Sequence, residues 1–171
     1  MEWLHFVSQT ELAYTLGAIG VGVEWRAYSL ACGSAFRRWS AAGALLWAGQ
    51  YCLLDAWTAS LTMGSTALRT LVSEQCAHGR YRHGLFWAFI LLFAILTLFS
   101  WQGSVSLLPA FAVINTTWAL FYLDNRQMRM RLLFSSVAWI ANDIYWQAWP
   151  ALLAETAAMG INAYTIRRLL R

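Results

Sequence analysis

Two carboxylates, Asp143 and Glu155, and a small set of amides and hydroxyls stand inside long, otherwise apolar stretches of this chain. An ionisable side chain in such a stretch commonly marks a solute or ion path, and a carboxylic acid there can carry a proton for a coupled carrier. Both acids also lie toward the outer ends of their stretches, where water could wet them. Asn115, Asn142, Asn162, Thr66 and Thr116 form the neutral set. An amide can donate to and accept from a solute, whereas a threonine hydroxyl can satisfy itself on its own helix. Helix-to-helix hydrogen bonds of about 1 kcal/mol each explain such residues as well as a polar cavity does. Trp47 and Trp139 fall mid-stretch, away from the headgroup boundary that indoles favour. Their flat π faces suit a sugar ring or a heteroaromatic ring, and they suit helix packing equally.

Nothing in the sequence assembles a catalytic set. His5, His78 and His83 have neither metal spacing nor a place at depth beside the acids, so no catalytic residue, metal site or cofactor is expected. Cys32, Cys52 and Cys76 show no redox or metal spacing, and a disulfide is not expected. The chain is 60% hydrophobic and 12% charged, too few charges to cover a soluble globule of 171 residues. Its partner is the lipid bilayer. The net charge of +4 comes without any lysine and without a basic module, which excludes nucleic acid. Glu2 and Glu11 precede any basic residue, so insertion is expected to begin with a retained helix.

The elements that must position these residues are seven apolar stretches: 12–32, 40–56, 57–73, 84–101, 107–123, 132–147 and 150–170. The second and third are short against the roughly 20 residues of a full span. Glu24, Arg26 and Arg69 interrupt the pattern and read as ion-pair or snorkelling groups. Phe36-Arg37-Arg38-Trp39 and Asp124 to Arg131 read as basic turns. All twelve basic residues are arginines, and with seven spans all of them lie on or near one side. The positive-inside tendency then puts the N-terminus outside and the C-terminus in the cytoplasm.

The chain also repeats itself. At a shift of 92 positions (139 − 47), Trp47 falls on Trp139, Gln50 on Asn142, Ala56 on Ala148, Trp57 on Trp149 and Ala59 on Ala151. After a further step of one helical turn, Met63-Gly64 falls on Met159-Gly160 and Thr66 on Asn162. Spans one to three thus match spans five to seven, and the odd fourth span makes the two units parallel in the membrane. The expected organisation is an all-α membrane protein with a first three-helix repeat (1–75), a loop and linker helix (76–103) and a second repeat (104–171).

This three-plus-one-plus-three plan resembles the SWEET and PQ-loop superfamily, which includes the PnuC-type vitamin transporters. More closely, LLPAFAVINTTWALFYL, the region around Trp139 and the ending MGINAYTIRRLL resemble the YgjV-type bacterial inner membrane proteins. The superfamily resemblance implies a central site of paired tryptophans on the second helix of each unit and paired asparagines on the third. Trp47 and Trp139 match the first pair, Asn162 matches half of the second, and Thr66 replaces its partner. Asn115 and Asn142 add polar groups nearby. The Pro-Gln dipeptide that names the PQ-loop proteins is missing from spans one and five.

Together these features point to an inner membrane carrier of a small polar or heteroaromatic solute, such as a sugar, nucleoside or vitamin, working by facilitated diffusion. The alternative is a scaffold or accessory subunit that transports nothing. The topology can be tested alone. A reporter fused after Arg171 is expected to be active in the cytoplasm, and activity confined to the outside would refute the arrangement.

Overall fold

The computed structural model describes the backbone of residues 2–76 and 79–168, and the side chains of residues 9–73 and 79–168. His5, Cys76 and His78 lie outside the described side chains. Among the described residues seven α-helices follow one another: α1 (Glu2–Ser29), α2 (Gly33–Leu53), α3 (Trp57–Cys76), α4 (Arg82–Phe99), α5 (Leu107–Tyr122), α6 (Asn125–Tyr145) and α7 (Trp149–Arg168). One 3₁₀ turn, Ser104–Ser106, leads into α5, and there is no strand among the described residues.

Helices α1, α2 and α6 all begin well before the apolar pattern implies, α1 at Glu2. Gly33 opens α2 and Asn125 opens α6, so the basic segments around Arg37 and Arg129 are helical and not turns. Arginine is a good helix former, and its long stem lets the charge leave an apolar face. Asp124 caps α6 by accepting from the Gln127 amide at 2.7 Å, which sets where that helix starts. With 21 residues each in α2 and α6 and 20 each in α3 and α7, these helices are not short: each rises roughly 30 Å, a bilayer core's thickness. Among the described residues, Arg82–Phe99 and Ser104–Tyr122 are the two stretches long and apolar enough, by length and composition, to cross a membrane.

The remaining helices carry polar groups, and these point inward. Arg69, Arg129, Gln50, Asn142, Asn162 and Asp143 are among the most deeply buried side chains in the molecule. Leu98 and Phe99 of α4, Phe134 and Val137 of α6 and Leu153 of α7 are all more than half exposed. A soluble protein sorts its residues the other way. Polar groups inside and large apolar ones outside suit a surrounding that offers no hydrogen bonds.

Helix packing runs α1–α2, α2–α3, α3–α5, α5–α6, α6–α7 and back from α7 to α1, a closed ring of six. Helix α4 stands outside the ring against α3 and α5, with Phe89 and Phe93 on its buried face. Two turns of the ring have the same backbone. Asp55 between α2 and α3 has φ 58°, and Gln147 between α6 and α7 has φ 53°. The Ala56 amide donates to the Tyr51 carbonyl at 2.9 Å, and the Ala148 amide donates to the Asp143 carbonyl at 2.9 Å. Both residues sit in the left-handed region that side chains rarely adopt, and both turns reverse the chain at once.

Close approach at α1 depends on its glycines. A methyl group at Gly17 would run into the Gln50 side chain and the ring of Pro150, the latter at 2.7 Å, while one at Gly22 would meet nothing within 4 Å. Pro150 sits on a rigid ring at the start of α7 and cannot yield. Gly17→Ala is therefore expected to lower stability by roughly 1–3 kcal/mol, read as a lower Tm of the purified protein in detergent. Gly22→Ala should leave Tm unchanged or raise it.

Candidate functional site

A cavity of about 80 Å³ lies inside the ring, with room for a few waters or one small solute. All six ring helices line it and α4 does not: Glu24 comes from α1, Trp47 from α2, Thr66 and Arg69 from α3, Thr116 from α5, Trp139 from α6 and Glu155 from α7. A second space of about 10 Å³, enough for about one water, adjoins it between Tyr51, Asp143 and the same two tryptophans and two glutamates.

The sequence-selected residues fall into two groups. Trp47, Trp139, Thr66 and Glu155 converge on the cavity. Trp47 donates its indole N–H to the Glu24 carboxylate. Trp139 stacks on the Tyr51 ring at 5.9 Å, with 18° between planes. The Thr66 hydroxyl is buried without a partner among the described residues. Asp143 borders the smaller space and accepts from the Tyr51 hydroxyl, 92 positions earlier in the chain. Asp143 is 1% exposed and Glu155 9%, so neither is wetted at an outer mouth, because ring closure covers both.

The three asparagines do not reach the cavity. Asn162 accepts from Arg129 Nη1 at 3.2 Å and donates to the Arg129 carbonyl at 2.9 Å, binding α7 to α6. Asn115 donates at 2.9 Å to both the Arg131 carbonyl and the Ser135 hydroxyl, holding α5 to α6. Asn142 is buried beside Asp143, and its Oδ1 has no partner among the described residues. Gln50 on α2, also fully buried, has neither amide atom paired among the described residues.

Glu24, Arg69 and Tyr51 are the contributors that the linear pattern hides. Glu24 next to Arg26 suggests an ion pair, but helix geometry separates them. Gly17, Gly20, Glu24 and Ala27 share one stripe at helical spacing, and Arg26 points away to an exposed position. That stripe is the signal that would have found Glu24. Glu24 of α1 and Glu155 of α7 line the same two spaces, so two acids from opposite halves of the chain face one another across a small volume. Arg69 is neither snorkelling nor ion-paired: its Nη1 donates to the Val113 carbonyl at 3.0 Å and to the Thr117 hydroxyl at 2.9 Å. The Phe93 ring lies 5.5 Å from its guanidinium, and its Nε is buried and unpaired among the described residues.

A family model described as a bacterial inner membrane protein, Imp-YgjV, matches residues 11–171. The chain belongs to this family. No curated protein and no solved structure matches it. As an inner membrane protein it meets lipid along its exposed Leu, Phe and Trp side chains, which accounts for a polar interior inside an apolar rim. Trp57 and Trp149, 46% and 50% exposed at the α2–α3 and α6–α7 turns, have the amphipathic rings that suit a membrane boundary.

The placement of Asn162 has a measurable consequence. Asn162→Leu leaves the Arg129 carbonyl and guanidinium each short of a partner, so a loss of roughly 1–3 kcal/mol per orphaned group is expected. It should show as a lower Tm in detergent, and Asn162→Asp, which keeps the acceptor, should recover part of it.

Proposed function

We propose that this inner membrane protein is a carrier of one small polar or heteroaromatic solute, bound between two SWEET-like three-helix units, with no catalytic step. The observation that carries the reading is the cavity itself. Six helices from both halves of the chain contribute to it, and Trp47 and Trp139, equivalent under the internal repeat, both face it. Packing residues alone would have closed this space.

The repeat reading draws support from the ring. Exchanging α1 with α5, α2 with α6 and α3 with α7 turns the α1–α7 contact into the α5–α3 contact, and both pairs are in contact. The two left-handed turns at Asp55 and Gln147 correspond under the same exchange. Such a pairing fits an axis along the membrane normal and two units that rock about the cavity. In this reading seven spans put the C-terminus in the cytoplasm. The Tyr51–Asp143 bond and the Tyr51–Trp139 stack lie on the outer side of Trp47 and Trp139 along α2 and α6, and they close that side.

Ligand-dependent stabilisation tests the proposal directly. A solute that binds only the folded protein adds RT ln(1 + [L]/Kd), about 2.7 kcal/mol at a hundredfold excess over Kd. A panel of sugars, nucleosides, vitamins and amino acids is expected to contain a compound that raises Tm and enters proteoliposomes. Trp139→Ala should weaken both effects, and Trp57→Ala or Trp149→Ala should weaken neither. A flat response across the panel, with no uptake, would support a membrane scaffold instead.

A further inference from the structure

One end of the cavity is lined by acids and the other by an arginine, and no ion pair joins them among the described residues. At one end Glu24 and Glu155 line both spaces, with Asp143 adjoining through the smaller one. Carboxylates accept and do not donate, so acids that face one small space suit a donor or a cation placed between them. At the other end stands Arg69. The residue is 2% exposed, the acceptors of its guanidinium are one carbonyl and one hydroxyl, and no carboxylate pairs with it among the described residues. Burying a charge without a counter-charge is costly. Both ends are therefore short of a partner, across a space that a small molecule can enter.

The distance between the ends is set by α3. Met63 borders both spaces beside the glutamates, Thr66 comes one turn later, and Arg69 lies six residues beyond Met63. At 1.5 Å per residue, that is roughly 9 Å along the axis. The guanidinium is fixed at its end of the cavity by Val113 and Thr117 of α5, and the buried Thr66 hydroxyl, unpaired among the described residues, lies along α3 between it and Met63.

We infer that the cavity takes a zwitterionic small solute of the amino-acid class: its ammonium group meets Glu24 and Glu155 between the Trp47 and Trp139 indoles, and its carboxylate meets Arg69 and Thr66. This rests on the carrier reading and names the substrate class of that site. The indoles favour a cation over a neutral group at the acidic end. The unpaired Arg69 Nε and the Thr66 hydroxyl provide two donors at the other. A simple amine would leave Arg69 without its counter-charge, and a simple carboxylate would face the glutamates.

Glycine, β-alanine, γ-aminobutyrate, butylamine, butyrate, glucose, uridine and nicotinamide separate the possibilities when tested one at a time on the full chain in detergent. At least one of the three zwitterions is expected to raise Tm and to bind at least tenfold more tightly than butylamine or butyrate. Arg69→Gln should abolish the advantage of that zwitterion over butylamine, and Glu24→Gln should abolish its advantage over butyrate. Each loss is expected to be about 10- to 100-fold, the range of a charged hydrogen bond. Should Arg69→Gln fail to fold, Thr66→Val reports on the carboxylate end, because it too should weaken the zwitterion and leave butylamine unchanged. Equal binding of butylamine and the zwitterions would overturn the inference in favour of a cation site. Stabilisation by glucose, uridine or nicotinamide alone would overturn it and leave the carrier reading standing. No response to any compound, with wild-type protein that is folded and monodisperse, would overturn both.

Discussion

A guanidinium held inside a helical bundle in lipid must find its acceptors within the bundle, and two such groups tie this fold together. Arg129 donates to Asn162 on α7 and, at 3.0 Å, to the Leu30 carbonyl after α1, while its guanidinium lies 5.0 Å from the Phe36 ring on α2. Arg69 does the same work on the other flank, joining α3 to Val113 and Thr117 of α5 and to Phe93 of α4. No hydrophobic force draws helices together within a bilayer, so polar links and close packing must do so. The α6–α7 and α3–α5 contacts that help close the ring each carry one of these arginines.

The cavity follows from the same constraint. Polar side chains that complete their bonds with a neighbouring helix, as Asn115 and Asn162 do, draw the helices into contact and leave no space. Where the inward-facing groups are indoles and acids, a cavity remains between the helices. Glycines make the contrast sharper: at Gly20 an added methyl would meet the Trp47 ring at 3.0 Å, so α1 packs against the indole's ring atoms while the indole N–H reaches Glu24. Close packing on one side of Trp47 thus orients it toward the open side.

Much of this was legible in the sequence. Seven helices, a bilayer-facing composition and the family could be read from apolar length, arginine spacing and the terminal motif. The 92-residue correspondence matched Trp47 with Trp139, and both line one cavity. Helix starts at Gly33 and Asn125 were not legible, because a hydropathy pattern stops at arginine while a helix continues through it.

What the sequence by itself determined was which residues are polar inside apolar helices, since that depends only on composition and period. Which of them would face a cavity and which would be consumed in helix contacts was decided by tertiary structure. Asn162 and Thr66 occupy matching positions, yet Asn162 bonds Arg129 while Thr66 opens onto the cavity. Glu24 and Glu155 lie in opposite halves of the chain and line one space only because α1 packs on α7. Hydrogen bonds and charge contacts act over a few Å, and a chain of 171 residues brings such groups together only when the ring closes.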